Sequence, residues 1–527
     1  MIAAVLICLI QIVFAQQGPP TQPVPQGPKH TVTGMVSNAI TGEPIRKALV
    51  QLNGQTQATV LTGTDGRFRF EDVPEGQVYL FAQKPGYFDL ASLNASEGMI
   101  DHTSVALRVD SGKNDFALKL YPSARIAGRV TDGNGEPVES GLQVLREQIQ
   151  QGRKQWMPQQ GANSDDDGGF RIEGLAPGRY MVFCQGHEVP PTSLNGQRTV
   201  EPPVYYPDAK DMASAQSVDL QAGQEFIADF HLKAERGYRV SGQILDASGN
   251  AGMNVVITTE DGQAVPNGEM RFDGKRGQFS AEGIPSGTWR LVVQGTDKGG
   301  RFYQTRAELT VDHADVTGLQ IQAQPNANIP LTVNHAGKPP EGQQANQMNV
   351  QVMLADSGAS RQNTYGAFPQ GDPPVMQFMN IPAGKYRLSM RSFANECVES
   401  AMYGNVDLTR DEMIVSGGAG AQPIVLTMTS ECATLKLTAK TEGKAAIAIV
   451  VPGAAMAEPF VQPIMGTSQP ATLALSPGTY QVYAFSNMAG LEYANPEVMR
   501  AFASESVTLD AGQQKELTVD VVDRKDH

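Results

Sequence analysis

The chain has 527 residues, 40 % of them hydrophobic and 18 % charged, and a formal net charge of −14. This balance suits soluble globular domains and excludes a largely disordered chain. Without a dense Lys/Arg cluster it also excludes a nucleic-acid binder, which must displace counterions from phosphates.

In chain order, the first element is the apolar run "MIAAVLICLIQIVFA", residues 1–15. It reads as a secretory signal peptide cut after Ala15, with the short residue Val13 at the −3 position. An N-terminal anchor stands as the alternative, although a bilayer span needs about 20 apolar residues. Cys8 follows Ile7, which is too large for a lipoprotein cleavage site. Residues 16–29 form a polar, Pro-rich linker, and no later segment can cross a bilayer once the signal is removed. The expected location is therefore secreted or cell envelope, periplasm or outer surface.

Asp65–Tyr87, "DGRFRFEDVPEGQVYLFAQKPGY", alternates turns and strands, and its central step recurs. "VPEGQV", "LAPGRY", "IPSGTW", "IPAGKY" and "LSPGTY" place glycines at Gly76, Gly178, Gly287, Gly384 and Gly478. These lie roughly a hundred residues apart, a domain period rather than a solenoid period. The second, fourth and sixth residues after each glycine are predominantly apolar, as in Tyr180-Val182-Cys184 and Trp289-Leu291-Val293, and the odd positions hold residues such as Arg179 and Arg290. That period of two predicts a half-buried strand after a Pro-Gly turn. Trp289 and Cys184 therefore face cores, and Cys184 is expected to be a buried, inert thiol. Each unit closes on a turn and strand, as in "QAGQEFIADFHLKAE", and the next begins almost at once.

The expected fold is all-β: five tandem Ig-like or transthyretin-like β-sandwich domains at 30–122, 123–235, 236–326, 327–430 and 431–527. The 54 Gly and 34 Pro supply the turns that many short strands require. One helix-prone patch, "LREQIQQGRKQW" (Leu145–Trp156), interrupts the second unit and reads as a long hairpin or a short helix. The stretches "VTGMVSNAITGEPIRKALVQL" and "TGTDGRFRFEDVPEGQVYLFAQKPGY" resemble the carboxypeptidase regulatory-like domain. The resemblance implies a seven-stranded, transthyretin-like sandwich grouped with carbohydrate-binding-like folds. It is close in the first unit, rests on fewer motifs in the second and third, and is limited to the glycine step in the last two. That family is an accessory domain on unrelated proteins, so it speaks for fold and little for function.

The chemistry is sparse. None of the seven His (30, 102, 187, 231, 313, 335 and 527) begins a zinc-peptidase pattern; His187-Glu188 runs into Val-Pro-Pro, which cannot continue a helix. A Gly-x-Ser-x-Gly elbow and a phosphate loop are absent. The protein is therefore expected not to be an enzyme, and no cofactor is implied. Asp165, Asp166 and Asp167 form a candidate Ca²⁺ loop, but they also align with the hairpin turns of neighbouring units, where Asp and Gly are favoured by backbone geometry. Trp156, Tyr205 and Tyr206 are candidate sugar-stacking aromatics; the competing reading is that they cap the second sandwich. Cys397 and Cys432 are a candidate disulfide joining the fourth unit to the fifth.

Two functions follow from the sequence. The first is a non-catalytic secreted or envelope scaffold, an interaction rod whose short junctions limit bending, in a bacterial protein. The second is a carbohydrate-binding protein using sandwich loops. The implied partner is a polysaccharide or a cell-surface protein.

Overall fold

The structure, a computed structural model, describes residues 28–89, 105–110, 112, 114–189, 198–245, 253–263, 265, 270–297, 300–336, 350–357, 363–392, 396–418, 420–440, 445–453, 458–465 and 470–524. The expected leader and most of the Pro-rich linker lie outside these residues. The chain divides into two compact units: Met1–Ala91 with His102–Pro122, and Ser92–Asp101 with Ser123–His527.

The first unit contains β1 (Lys29–Asn38), β2 (Leu49–Asn53), β3 (Gln57–Leu61), β4 (Arg67–Pro74), β5 (Gly76–Gln83), β6 (Tyr87–Asp89), β7 (Val105–Val109) and β8 (Asp115–Pro122). They form two sheets, ordered β4-β1-β8-β6 and β3-β2-β5-β7. In β4, Phe68 and Phe70 alternate with exposed Arg67 and Arg69, so one face of the strand is buried. Those rings pack with Val32, Val36, Val50, Leu52, Val78 and Leu80 between the sheets. Each fully buried side chain of this kind contributes about 1.5–3 kcal/mol. β1 is antiparallel to β4 and parallel to β8, while β5 is antiparallel to both β2 and β7.

The same pairing scheme recurs four times in the second unit. There β9 (Ala124–Thr131) is antiparallel to β12 (Gly169–Leu175) and parallel to Glu225–Ile227. Strand β13 (Gly178–Cys184) lies between β10 (Gly141–Gln150) and Val218–Leu220. Tyr238–Leu245, Ala327–Ala336 and Ala433–Lys440 each repeat the role of β9. Gly287–Thr296, Gly384–Ser392 and Gly478–Phe485 each repeat the role of β13. Five large apolar clusters follow in order, spanning Val32–Leu120, Ala124–Leu232, Tyr238–Ala323, Ala327–Met428 and Ala433–Val519. The fold is all-β, with multiple sandwiches. Among the described residues, helix amounts to one turn, α1 (Pro496–Met499), capped by the Asn495 side chain.

Glycine in the first strand of a sandwich has a packing cause. A Cβ at Gly128 would strike the Ala228 carbonyl of the parallel partner strand and sit 3.0 Å from the Phe170 ring. Gly34 and Gly242 meet the carbonyls of Phe116 and Leu319 in the same way. A side chain there would push the closing strand off the sheet.

The Leu145–Trp156 patch is a hairpin, not a helix. β10 pairs with β11 (Arg153–Asn163) around a two-residue turn, Gln151-Gly152, whose φ angles are 49° and 76°. Two positive φ values give the type I′ twist that suits strand pairs.

Candidate functional site

The expected aromatic group in the second sandwich is divided by strand parity. Adjacent residues in an extended segment point to opposite sides, so Tyr205 and Tyr206 part. Tyr206 enters the core, edge-on to Phe226 and Phe230 at 5.6 and 6.0 Å. Tyr205 packs on the outer face of the sheet with Leu145, Met181 and Phe183, and the half-buried Trp156 lies against the same cluster. The Phe183 and Tyr205 ring centroids are 4.9 Å apart. Tyr205 is 1 % exposed, and its hydroxyl donates to the Asp261 carboxylate of the third sandwich. Of the two readings of these aromatics, the packing favours the cap on the second sandwich. The cause is readable in the sequence: Met181 and Phe183 occupy odd positions after Gly178, where a solvated face would be polar, and they need a lid.

Asp165, Asp166 and Asp167 sit in the β11–β12 turn. The Asp165 Oδ1 accepts from the Asp167 and Gly169 amides at 3.1 and 2.7 Å, and Asp166 and Asp167 are exposed. Asp132 does the same work in the turn after β9, accepting from the Asn134 and Glu136 amides. Those backbone donors, the Glu136 amide foremost, lower the Asp132 carboxyl below its ordinary value. This is turn chemistry. Among the described residues no three His, Cys, Asp or Glu side chains come together as metal ligands. Nor is any described helix long and apolar enough to cross a membrane.

Cys184 is fully buried and free, its thiol pushed up by burial. Its sulfur lies 3.3 Å from the Ser140 hydroxyl. The structure bonds the sulfurs of Cys397 and Cys432, with Cα atoms 5.7 Å apart. Trp289 is 7 % exposed and belongs to the third core.

What the second unit builds instead are ties between sandwiches. Between the second and third, Arg198 Nε pairs with Glu282 at 3.0 Å. Between the third and fourth, Arg306 pairs with buried Asp356 at 3.0 Å. Between the fourth and fifth, Ser389 donates to Glu458 at 2.6 Å and Ser476 to the Val398 carbonyl at 2.7 Å. The β10–β11 hairpin then reaches the fifth sandwich. The Ala494 amide donates to the Gly152 carbonyl at 2.9 Å, and Lys154 Nζ lies 3.2 Å from Glu492. A row of sandwiches touching only sequence neighbours would keep the second and fifth apart; here they meet, which corrects the expected rod for this unit. Composition hid the tie, because Lys154 and Glu492 look like any surface charges until the hairpin's reach is known.

These features define a class: an all-β, multi-sandwich protein whose polar side chains serve turns and junctions. Residues 31–108 match the family model of the carboxypeptidase regulatory-like domain, and the first sandwich is a domain of that kind. None of the curated protein sequences matches the chain. Among solved structures, the Bacillus anthracis TIE protein is 15 % identical with a TM-score of 0.18. That match covers 55 % of this chain and 49 % of the TIE protein, so it spans about half of the latter's length. The GBS52 minor pilin of Streptococcus agalactiae is 14 % identical over 39 % of this chain and 96 % of its own, with a TM-score of 0.21. BcpA, the major pilin subunit of Bacillus cereus, is 11 % identical over 76 % of this chain and 99 % of its own, with a TM-score of 0.15. Scores this low carry no weight for function.

Proposed function

We propose that this chain is a non-catalytic scaffold of the bacterial cell envelope or outer surface. Its second to fifth sandwiches act as one stiff block that presents loops to a cell-surface partner. The hairpin contact carries the reading: the Gly152 carbonyl and Lys154 hold Ala494 and Glu492 in the fifth sandwich, joining parts of the chain far apart in sequence. Stiffness is what a scaffold needs, and ties between non-neighbouring sandwiches supply it, since short linkers alone leave domains free to move. The apolar leader ahead of a Pro-rich stretch and the bonded pair Cys397–Cys432 support export. The aromatics that suggested sugar stacking are largely engaged in packing, which leaves the carbohydrate reading without its platform.

Small-angle scattering from the full chain and from a variant with Ile149–Lys154 replaced by a tight two-residue turn, which keeps the Gln148–Gln155 register, tests this. The variant should show a larger radius of gyration. Equal radii would sink the stiff block. Retention of the full chain on insoluble polysaccharide, lost in Trp156→Ala, would restore the carbohydrate reading.

A further inference from the structure

The second and third sandwiches are joined by a small sheet of β14 (His187–Val189), β15 (Thr199–Glu201) and Glu235–Arg236. Its last strand runs directly into the first strand of the third sandwich, Tyr238–Leu245. Gly237 between them has no room for a side chain: a Cβ there would lie 2.6 Å from the Gly283 backbone and 3.1 Å from Val200. The Gly237 amide donates to the Arg198 carbonyl at 2.9 Å, just ahead of β15.

Glu201 closes β15 from inside. It is 2 % exposed, and its Oε2 has no hydrogen-bond partner. The neighbouring groups are committed elsewhere. On the junction sheet, Glu235 pairs with Lys210 at 3.2 Å, and the Arg236 guanidinium lies over the Tyr238 ring. Across the junction, Glu282 pairs with Arg198. On the sandwich side stand the buried Cys184 thiol and Ser140, whose hydroxyl donates to the Gly186 carbonyl at 2.9 Å. His187 is the backbone partner of Glu201 in the β14–β15 pair. The charge that acts on Glu201 is the carboxylate of Asp132, of like sign. Among the described side chains no cation stands beside it, so with a like charge nearby the buried carboxylate is far more costly than the neutral acid.

We propose that Glu201 is a proton switch for the junction between the second and third sandwiches: as the neutral acid it lets β15 dock, and as the carboxylate it loosens the junction sheet. Burial first, and Asp132 second, push its carboxyl up to about 7 from 4.5. A raised carboxyl means the folded chain holds a proton that the unfolded chain has lost. The junction is therefore firmest below about 4.5, weakens as pH rises towards 7, and stays weakened above that.

Hydrogen–deuterium exchange on the full chain, corrected for the pH dependence of intrinsic exchange, tests the switch between pH 5 and pH 8.5. Protection of the Thr199–Glu201 and Glu235–Arg236 amides should fall by about tenfold or more across that range; a tenfold loss corresponds to about 1.4 kcal/mol. Glu201→Gln, neutral at every pH, should hold its protection constant. Asp132→Asn keeps the turn's acceptor and should move the midpoint to lower pH. The same loss of protection in Glu201→Gln as in the native chain would overturn the proposal. So would restoration of protection at pH 8.5 by Ca²⁺ alone, which would make the carboxylate a cation ligand instead. Neither outcome touches the hairpin contact on which the scaffold reading rests.

Discussion

The indole Nε1 of Trp289 donates to the carbonyl of Pro285, four residues back, at 2.9 Å. Tyr180, Tyr386 and Tyr480 repeat the contact through their hydroxyls, to the carbonyls of Ala176, Pro382 and Ser476 at 2.7, 2.8 and 2.6 Å. The recurrent aromatic after the glycine thus has two jobs: its ring fills the core, and its polar tip closes the turn that leads into the strand. Gly178, Gly287 and Gly478 make the turn possible, with φ of 148°, 147° and 157°, a region other residues avoid. The first sandwich has Val78 at this position, so its turn forms without the polar tip.

Removing the tip alone should be measurable. Tyr386→Phe keeps the ring in the fourth core and leaves the Pro382 carbonyl without its donor. A buried unpaired acceptor costs about 1–3 kcal/mol, so urea unfolding should show a loss of that order. Tyr79→Phe, on a half-buried residue of the first sandwich outside this motif, should change stability by less than about 0.5 kcal/mol. Equal effects at the two sites would refute the turn-closing role.

Alkali should expose the same residues. Burial raises the Tyr480 phenol to about 12 from 10.0, and raises Tyr180 and Tyr386 as well. The folded chain holds these protons when the unfolded chain has released them, so stability falls as pH rises above about 10. For Tyr480 the fall continues to about 12. Urea unfolding midpoints taken at successive pH values should fall across that window, and Tyr480→Phe should remove its share of the fall. A variant as alkali-sensitive as the parent would show that the ring titrates in solvent.

Much of this fold was legible because period-two patterning and Pro-Gly turns are local. Trp289 and Cys184 fall where the alternation put them, in cores. The β10–β11 hairpin was ambiguous because Arg146, Glu147, Gln148 and Gln150 favour helix, while Leu142, Val144 and Leu145 bury as a strand when β13 lies alongside. The candidate site read less well. Tyr205 sits beside prolines in the sequence, as an exposed loop residue would, yet the apolar outer face of β13 draws it in. Glu201 gave no signal at all, since its burial arises from strands far apart in the chain.

The bonded pair Cys397–Cys432 makes a further test. It ties the first residue of Cys397–Tyr403 to the segment just before Ala433–Lys440, across a sequence separation of 35. In the chain-entropy model a loop of that length stabilises by about 3–4 kcal/mol. Cys432→Ser should lower the thermal midpoint of the fourth sandwich and raise proteolysis near residues 430–433, and a dithiol reductant should do the same to the native chain. Free-thiol titration finding three reactive cysteines in the unfolded, unreduced mature chain would show that the pair is not bonded.

The hairpin contact yields the sharpest contrast. Gly152 has φ of 76°, and a Cβ there would lie 2.5 Å from the Tyr493 ring and 2.7 Å from the Ala494 backbone nitrogen. The ring can turn, but the backbone cannot move without losing the Ala494–Gly152 hydrogen bond, and a left-handed non-glycine residue costs about 1–2 kcal/mol besides. Gly152→Ala should therefore release the hairpin and raise amide exchange at Ala494. Lys154→Ala removes a partly exposed ion pair with Glu492 and a longer one, 3.8 Å, with Glu147 in its own hairpin, each worth less than about 1 kcal/mol and screened by salt. It should leave the contact closed at moderate ionic strength. If Lys154→Ala opened the contact and Gly152→Ala did not, charge rather than close backbone approach would hold the second and fifth sandwiches together.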